Sequence, residues 1–82
     1  MITVMFFASV CEAAGDGQIE IEATGLTTVS DLIASLGERS TNYRDALARE
    51  NLLIAVNQTM VDSRATIGDG DEVAFFPPVT GG

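Results

Sequence analysis

Ile2, Val4, Phe6 and Ala8 alternate with Thr3, Met5, Phe7 and Ser9, and this period of two predicts an opening strand over residues 2–8. Both of its faces carry large apolar groups. A short helical turn is expected over residues 9–14, with Ser9 as cap and Glu12 three residues on. Gly15-Asp16-Gly17 reads as a turn, too short to cradle a phosphate. Residues 18–23 alternate again, Ile19, Ile21 and Ala23 inward and Glu20 and Glu22 outward, as in a half-exposed strand that pairs antiparallel with the first. Thr28 is a good helix cap, and Asp31 stands at the third helical position, where a carboxylate suits the helix N-terminus. Val29, Leu32, Ile33 and Leu36 then form one apolar stripe, with Gly37 as the stop. A weaker helix is expected over residues 43–49, capped by Asn42, with Tyr43, Ala46 and Leu47 on its apolar face and Arg44, Asp45 and Arg49 solvated.

The rest of the chain is strand-like. Residues 52–56 read as a strand, Asn57-Gln58-Thr59 as a turn and Met60-Val61 as a short return. Residues 63–68 form a loop with Ile67 turned to the core. Asp69-Gly70 is a turn, because glycine accepts positive φ and aspartate bonds nearby backbone. Residues 73–76 form a last apolar strand. Pro77-Pro78 then ends pairing, since proline has no N–H to give, and holds the next residues extended. The order predicts a single α+β domain over residues 1–76, with a mixed sheet of about five strands and one main helix on one face, followed by an extended tail over residues 77–82.

That arrangement implies a partner. The first and last strands are apolar on both faces, which suits strands covered on both sides. One helical stripe covers one side only, and 82 residues leave little for the other. By alternation Phe7 and Phe76 fall on the uncovered face, with Met60 beside them, and an exposed apolar patch marks an interaction site. The alternative is that loops cover both phenylalanines.

Composition narrows the function. The net charge is −8 and the cations are Arg39, Arg44, Arg49 and Arg64. This excludes ordinary nucleic-acid binding, which needs a basic footprint. It fits either steering toward a basic partner surface or plain solubility. No apolar run approaches the roughly 20 residues of a membrane span, and the opening Met1-Ile2-Thr3-Val4 lacks the basic region of a secretory signal. A cytoplasmic location without membrane partners is the expectation. The one cysteine, Cys11, excludes an internal disulfide and a cysteine zinc cluster. With no histidine to act as its base, it reads as structural. Asp69 and Asp71 flank a glycine, but a calcium loop needs more ligands at fixed spacing, so no metal is expected. No constellation of nucleophile, acid and base stands out, which argues against an independent enzyme.

The tail after the prolines has almost no side chains, and its last two residues are Gly81 and Gly82. One reading is a frayed end or a purification remnant. The other is a tail that enters another protein. A stiff lead reduces the freedom lost on insertion, and glycine leaves the final carbonyl open to attack and passes a narrow channel.

The stretch Asp69-Gly70-Asp71-Glu72-Val73-Ala74-Phe75-Phe76-Pro77-Pro78-Val79-Thr80-Gly81-Gly82 resembles the carboxy-terminal signature of the MoaD family, the sulfur-carrying small subunits of molybdopterin synthase. Met1-Ile2-Thr3-Val4-Met5-Phe6-Phe7-Ala8 resembles that family's opening strand, and Val56-Asn57-Gln58-Thr59-Met60-Val61 its mid-chain turn. The resemblance implies a ubiquitin-like β-grasp fold with the first and last strands adjacent and parallel. It implies that a ubiquitin-activating-type enzyme adenylates Gly82 with ATP, and that a sulfur donor protein converts the adenylate to a thiocarboxylate. The tail then delivers sulfur to a pyranopterin precursor in the synthase large subunit, within a heterotetramer. On this reading Gly82 is the reacting residue and Gly81 its slim lead. Phe7, Met60, Phe76, Pro77, Pro78, Val79 and Thr80 meet the partner, and no cofactor is tightly bound. Diglycine ends are shared with ubiquitin-like modifiers and with the thiamine sulfur carrier, so conjugation through Gly82 to lysines of target proteins, or another sulfur pathway, is the alternative.

Overall fold

The structure is a computed structural model that describes residues 1–78. Its strands are β1 (Ile2–Phe6), β2 (Gln18–Ile21), β3 (Leu53–Val56), β4 (Thr59–Val61) and β5 (Glu72–Phe76), and its helices are α1 (Ala8–Ala14), α2 (Val29–Arg39) and α3 (Thr41–Leu47). The sheet runs in the order β2-β1-β5-β3-β4. β1 and β5 lie side by side and parallel, with Val4 opposite Val73 and Phe6 opposite Phe75. The other pairs are antiparallel. This is the mixed five-stranded sheet expected, with the first and last strands at its centre.

The inward residues of β1 and β5 are Ile2, Val4, Phe6, Val73 and Phe75, all essentially buried. They meet Val10 and Ala14 of α1, Val29, Leu32 and Leu36 of α2, and Ala46 and Leu47 of α3 in one core. Three helices therefore share the covered face, where one main helix was expected. Ile67 reaches the core from its loop, as the sequence suggested. Among the described residues no helix is long and apolar enough to cross a membrane.

Several boundaries differ from expectation. β1 stops at Phe6 because Ala8 adopts φ 51°. That left-handed turn costs a residue with a Cβ about 1–2 kcal/mol, and it swings the chain into α1. The cap position of α1 is Phe7, with no side-chain bond. Ser9 lies inside the helix, and its Oγ instead accepts from Arg49 Nη1 at 2.8 Å. β2 ends at Ile21, before Ala23, and β3 begins at Leu53. α2 runs through Gly37 to Arg39. A Cβ on Gly37 would stand 3.4 Å from Cβ and Cγ of Arg44, ordinary van der Waals contact, so α3 packs directly over this position. α3 begins at Thr41, capped by Ser40, whose Oγ accepts the Tyr43 N–H; Asn42 is the second residue of the helix.

The start of α2 follows the sequence. Thr28 Oγ1 accepts the Asp31 N–H at 3.2 Å, and the Asp31 carboxylate accepts the Thr28 N–H at 3.1 Å and the Thr27 N–H at 3.0 Å. The Thr27 bond first, then the Thr28 bonds, hold the Asp31 carboxyl below its ordinary 3.8. The folded state thus binds this proton more weakly than the unfolded chain. The contribution is complete above the ordinary value and is lost as pH falls through the folded one. Thr28→Ala is expected to cost about 1 kcal/mol in denaturant melts at neutral pH. In the same melts Asp31→Asn should flatten the loss of stability below about pH 4.

The β3–β4 hairpin turns on Asn57 and Gln58, at φ 49° and 70°. Two positive φ values match the tight turn that suits strand twist, where Asn-Gly is the preferred pair. Asn57 also clamps the start of β5: its Nδ2 donates to Asp71 at 3.0 Å, its Oδ1 accepts the Glu72 N–H at 3.0 Å, and its N–H donates to the Glu72 carbonyl at 2.8 Å. Gln58 makes no comparable contact among the described residues. Gln58→Gly should therefore stabilise the fold by about 1 kcal/mol, raising Tm by about 4–8 °C in a chain of this size. An unchanged Tm would show that the turn carries no strain.

Candidate functional interface: the open sheet face and the tail root

The helices cover one face of the sheet, and strand register fixes what lies on the other. Across one end stand Glu20, Thr3 and Glu72, in register through β2, β1 and β5. The next row is Gln18, Met5, Ala74, Ala55 and Met60, continuing through β3 and β4. The far row holds Phe7, Phe76 and Leu53. Phe76 pairs with Leu53, and Phe7 continues the extended backbone of β1, its N–H donating to the Phe75 carbonyl at 3.0 Å. The face thus grades from acidic at one end, through small and apolar, to aromatic where β5 ends.

The Phe7 and Phe76 rings stack with centroids 4.7 Å apart and planes 8° from parallel. Phe7 is 36% exposed and Met60 57%, so loops do not bury this face. Ala55 and Ala74, between them in mid-sheet, are buried. Pro77 and Pro78 follow Phe76 and are half-buried. Sequence reasoning placed Phe7, Met60 and Phe76 on this side, and the register brings all three to one face. Leu53, Ala55 and Ala74 were missed, and Met5, placed on the Phe7 side by alternation, was not named as a site residue. Alternation within β3 and β5 was the available signal, but the register of distant strands was not. Val79, Thr80, Gly81 and Gly82, also named as site residues, lie outside the described residues.

The ionisable groups near this face are few. Asp69 pairs with the Met1 amine, which holds its carboxyl below the ordinary value, and the Asp71 carboxylate accepts the Gly68 N–H at 2.8 Å. These groups sit at the start of β5, at the opposite end of the strand from the tail. Cys11 is half-exposed on α1. Among the described residues no three His, Cys, Asp or Glu side chains gather as a metal ion would require. A groove of about 620 Å³ between α2 and α3, lined in part by Ile33, Gly37, Arg44 and Leu47, belongs to the helical side and not to the open face. The arrangement is suited to docking: an apolar surface that runs directly into Pro77 and Pro78.

Comparison with known proteins bears on what docks there. The chain is 48% identical, over the full length of both, to the molybdopterin synthase sulfur carrier subunit of Escherichia coli. Among solved structures it is similar to SAMP1 of Haloferax volcanii, with a TM-score of 0.79 at 25% identity, covering 99% of this chain and 98% of that one. It is also similar to a chain in the complex of subunits 1 and 2 of molybdopterin-converting factor from Helicobacter pylori, with a TM-score of 0.70 at 27% identity, covering 99% of this chain and 97% of that one. The model of the ThiS family matches residues 4–82, nearly the whole sequence, and the chain belongs to that family.

Proposed function

We propose that this chain is the sulfur carrier subunit of a molybdopterin synthase and acts in the cytoplasm, where ATP for its activation is held. The observation that carries the reading is the full-length likeness to a sulfur carrier subunit, joined to an open apolar face that leads into a proline-stiffened tail ending in diglycine.

A carboxylate is a poor electrophile, so activation must come first. A ubiquitin-activating-type enzyme joins the Gly82 carboxylate to the α-phosphate of ATP and releases pyrophosphate. The outer sulfur of a persulfide on a sulfur donor protein then attacks the adenylate carbonyl and expels AMP, giving an acyl disulfide. A second thiol cleaves its S–S bond, leaving Gly82 as a thiocarboxylate and the donor sulfur in a disulfide with that thiol. The tail enters the synthase large subunit, where the thiocarboxylate sulfur attacks the pyranopterin precursor. Each attack leaves Gly82 in a thioester with the precursor, which water hydrolyses so that the sulfur stays on the precursor and the carboxylate returns for recharging. Two such transfers build the dithiolene. In this scheme Phe7, Met60 and Phe76 dock on the partner, Pro77 and Pro78 hold the tail extended, and Val79, Thr80 and Gly81 line its narrow passage. The domain itself is a non-catalytic handle that holds no cofactor of its own. The assembly is a heterotetramer of two carriers and two large subunits.

Reconstitution tests this. Thiocarboxylated chain, large subunit and precursor together should yield the dithiolene, and the unmodified carboxylate form should not. Product from the carboxylate form, or none from the thiocarboxylate, would overturn the reading. A second reading, conjugation to target proteins through Gly82, is favoured by the likeness to SAMP1, a small archaeal modifier protein. It would appear as heavier covalent adducts in place of dithiolene.

A further inference from the structure

The chain has four phenylalanines, one tyrosine and no tryptophan, and all five aromatic rings gather where β1 and β5 end. On the open face Phe7 stacks on Phe76. On the covered face Phe6 stands between Tyr43, at 5.5 Å, and Phe75, at 6.1 Å, both nearly parallel to it. Three links then close around Phe6. Its ring is held by Tyr43 of α3. Its N–H donates to the Gly17 carbonyl at 2.9 Å. The Tyr43 hydroxyl donates to Asp16 Oδ2 at 2.6 Å, one residue before that carbonyl. The Asp16 bond, with burial second, holds the Tyr43 phenol above its ordinary 10.0, so it stays a donor across the working pH range. On the other side, Phe6 is in register with Phe75, whose carbonyl takes the Phe7 N–H. Phe76 and Pro77 follow directly.

We propose that Tyr43 is a positioning residue for the tail, clamping Phe6 from the helical side and so fixing the ends of β1 and β5 from which Pro77 departs. Tyr43 stands on α3 against the core, on the covered side of the sheet, and its effect passes through Phe6 and Phe75. That the fixed direction matters for turnover rests on the sulfur-carrier reading; that Tyr43 fixes it does not.

Tyr43→Leu and Tyr43→Phe in the full chain test both parts. Hydrogen exchange compares the Phe7 N–H, bonded to Phe75 at the tail end of β5, with the Asn57 N–H, bonded to Glu72 at the other end. Tyr43→Leu should speed exchange at Phe7 about tenfold and leave Asn57 within about twofold, since local opening is resolved by site. Tyr43→Phe keeps the ring and loses only the hydroxyl bond, so a rise of about threefold at Phe7 is expected. If Tyr43→Leu does not fold, the phenylalanine variant carries the comparison. Equal rises at Phe7 and Asn57, or none at Phe7, overturn the proposal. In sulfur loading by the activating enzyme, Tyr43→Leu should lower kcat about tenfold with KM little changed, and Tyr43→Phe should restore most of it. Full kcat with a loosened Phe7 overturns the functional half. If the wild-type chain takes up no sulfur, the carrier reading fails, and exchange alone still decides whether Tyr43 holds the tail root.

Discussion

Removing Gly82 is expected to abolish sulfur loading and leave the fold unchanged. The core is built from residues up to Phe75, and the last of its fully buried side chains is Phe75 itself. Gly82 lies outside the described residues and has no side chain to bury, so Tm should stay within a degree or two of wild type, far from the 4–8 °C that about 1 kcal/mol moves in a chain this small. The chemistry is another matter. Deletion leaves a carboxylate on Gly81, one residue short, and each residue spans at most about 3.3–3.6 Å. Misplacement by about 1 Å can already cost a hundredfold in rate. Loading, read by intact mass after incubation with ATP, the activating enzyme and the sulfur donor, should fall at least about a hundredfold on the same ground. A truncated chain that still takes up sulfur would remove Gly82 from its assigned role.

The second large effect separates two neighbouring residues. Phe76 faces the open side and stacks on Phe7, while Phe75 faces the core and is fully buried. Phe76→Asp places a charge in the aromatic row at the end of the open face, directly before Pro77. Loss of an aromatic anchor at an interface commonly costs about 2–4 kcal/mol, so titration with the large subunit should show Kd weakened about thirtyfold or more. The isolated chain should lose far less stability than that. Phe75→Ala should do the reverse, with about 3–5 kcal/mol lost from the fold, a large part of what a domain this small holds. If Phe76→Asp unfolds the chain as Phe75→Ala does, then Phe76 is core and the open face is not a docking surface.

The contrast between Phe75 and Phe76 was legible in the sequence because a strand has a period of two. The same period gave β1, β2 and β5, and the 3.6-residue stripe from Val29 to Leu36 gave α2. The capping box at Thr28 and Asp31 was legible because both of its members are local. The features hidden from sequence reading are non-local. Gly37 has the composition of a helix stop, but α3 packs against it through Arg44, and that contact decides the matter. Ser40 both ends α2 and caps α3, a double role that Asn42, an equally good capping residue two positions on, disguised. Ala8 takes a left-handed conformation that favours glycine, so nothing local marked the end of β1. The part of the open face that β3 and β5 supply, including Leu53, Ala55 and Ala74, becomes visible only when β1, β5 and β3 are set in register. The Tyr43 clamp on Phe6 joins residues far apart in sequence and left no local trace. The tail was the reverse case: Gly81, Gly82 and the two prolines were read from sequence alone.

The most direct test of the sulfur-carrier role is the intact mass of the full-length chain through one cycle of charging and discharge. After incubation with ATP, the activating enzyme and the sulfur donor, the chain should gain the mass of one oxygen exchanged for one sulfur, located by fragmentation at Gly82. That gain should disappear once the large subunit and the pyranopterin precursor are added. A chain whose mass does not change, or that goes instead into covalent adducts with other proteins, would contradict it.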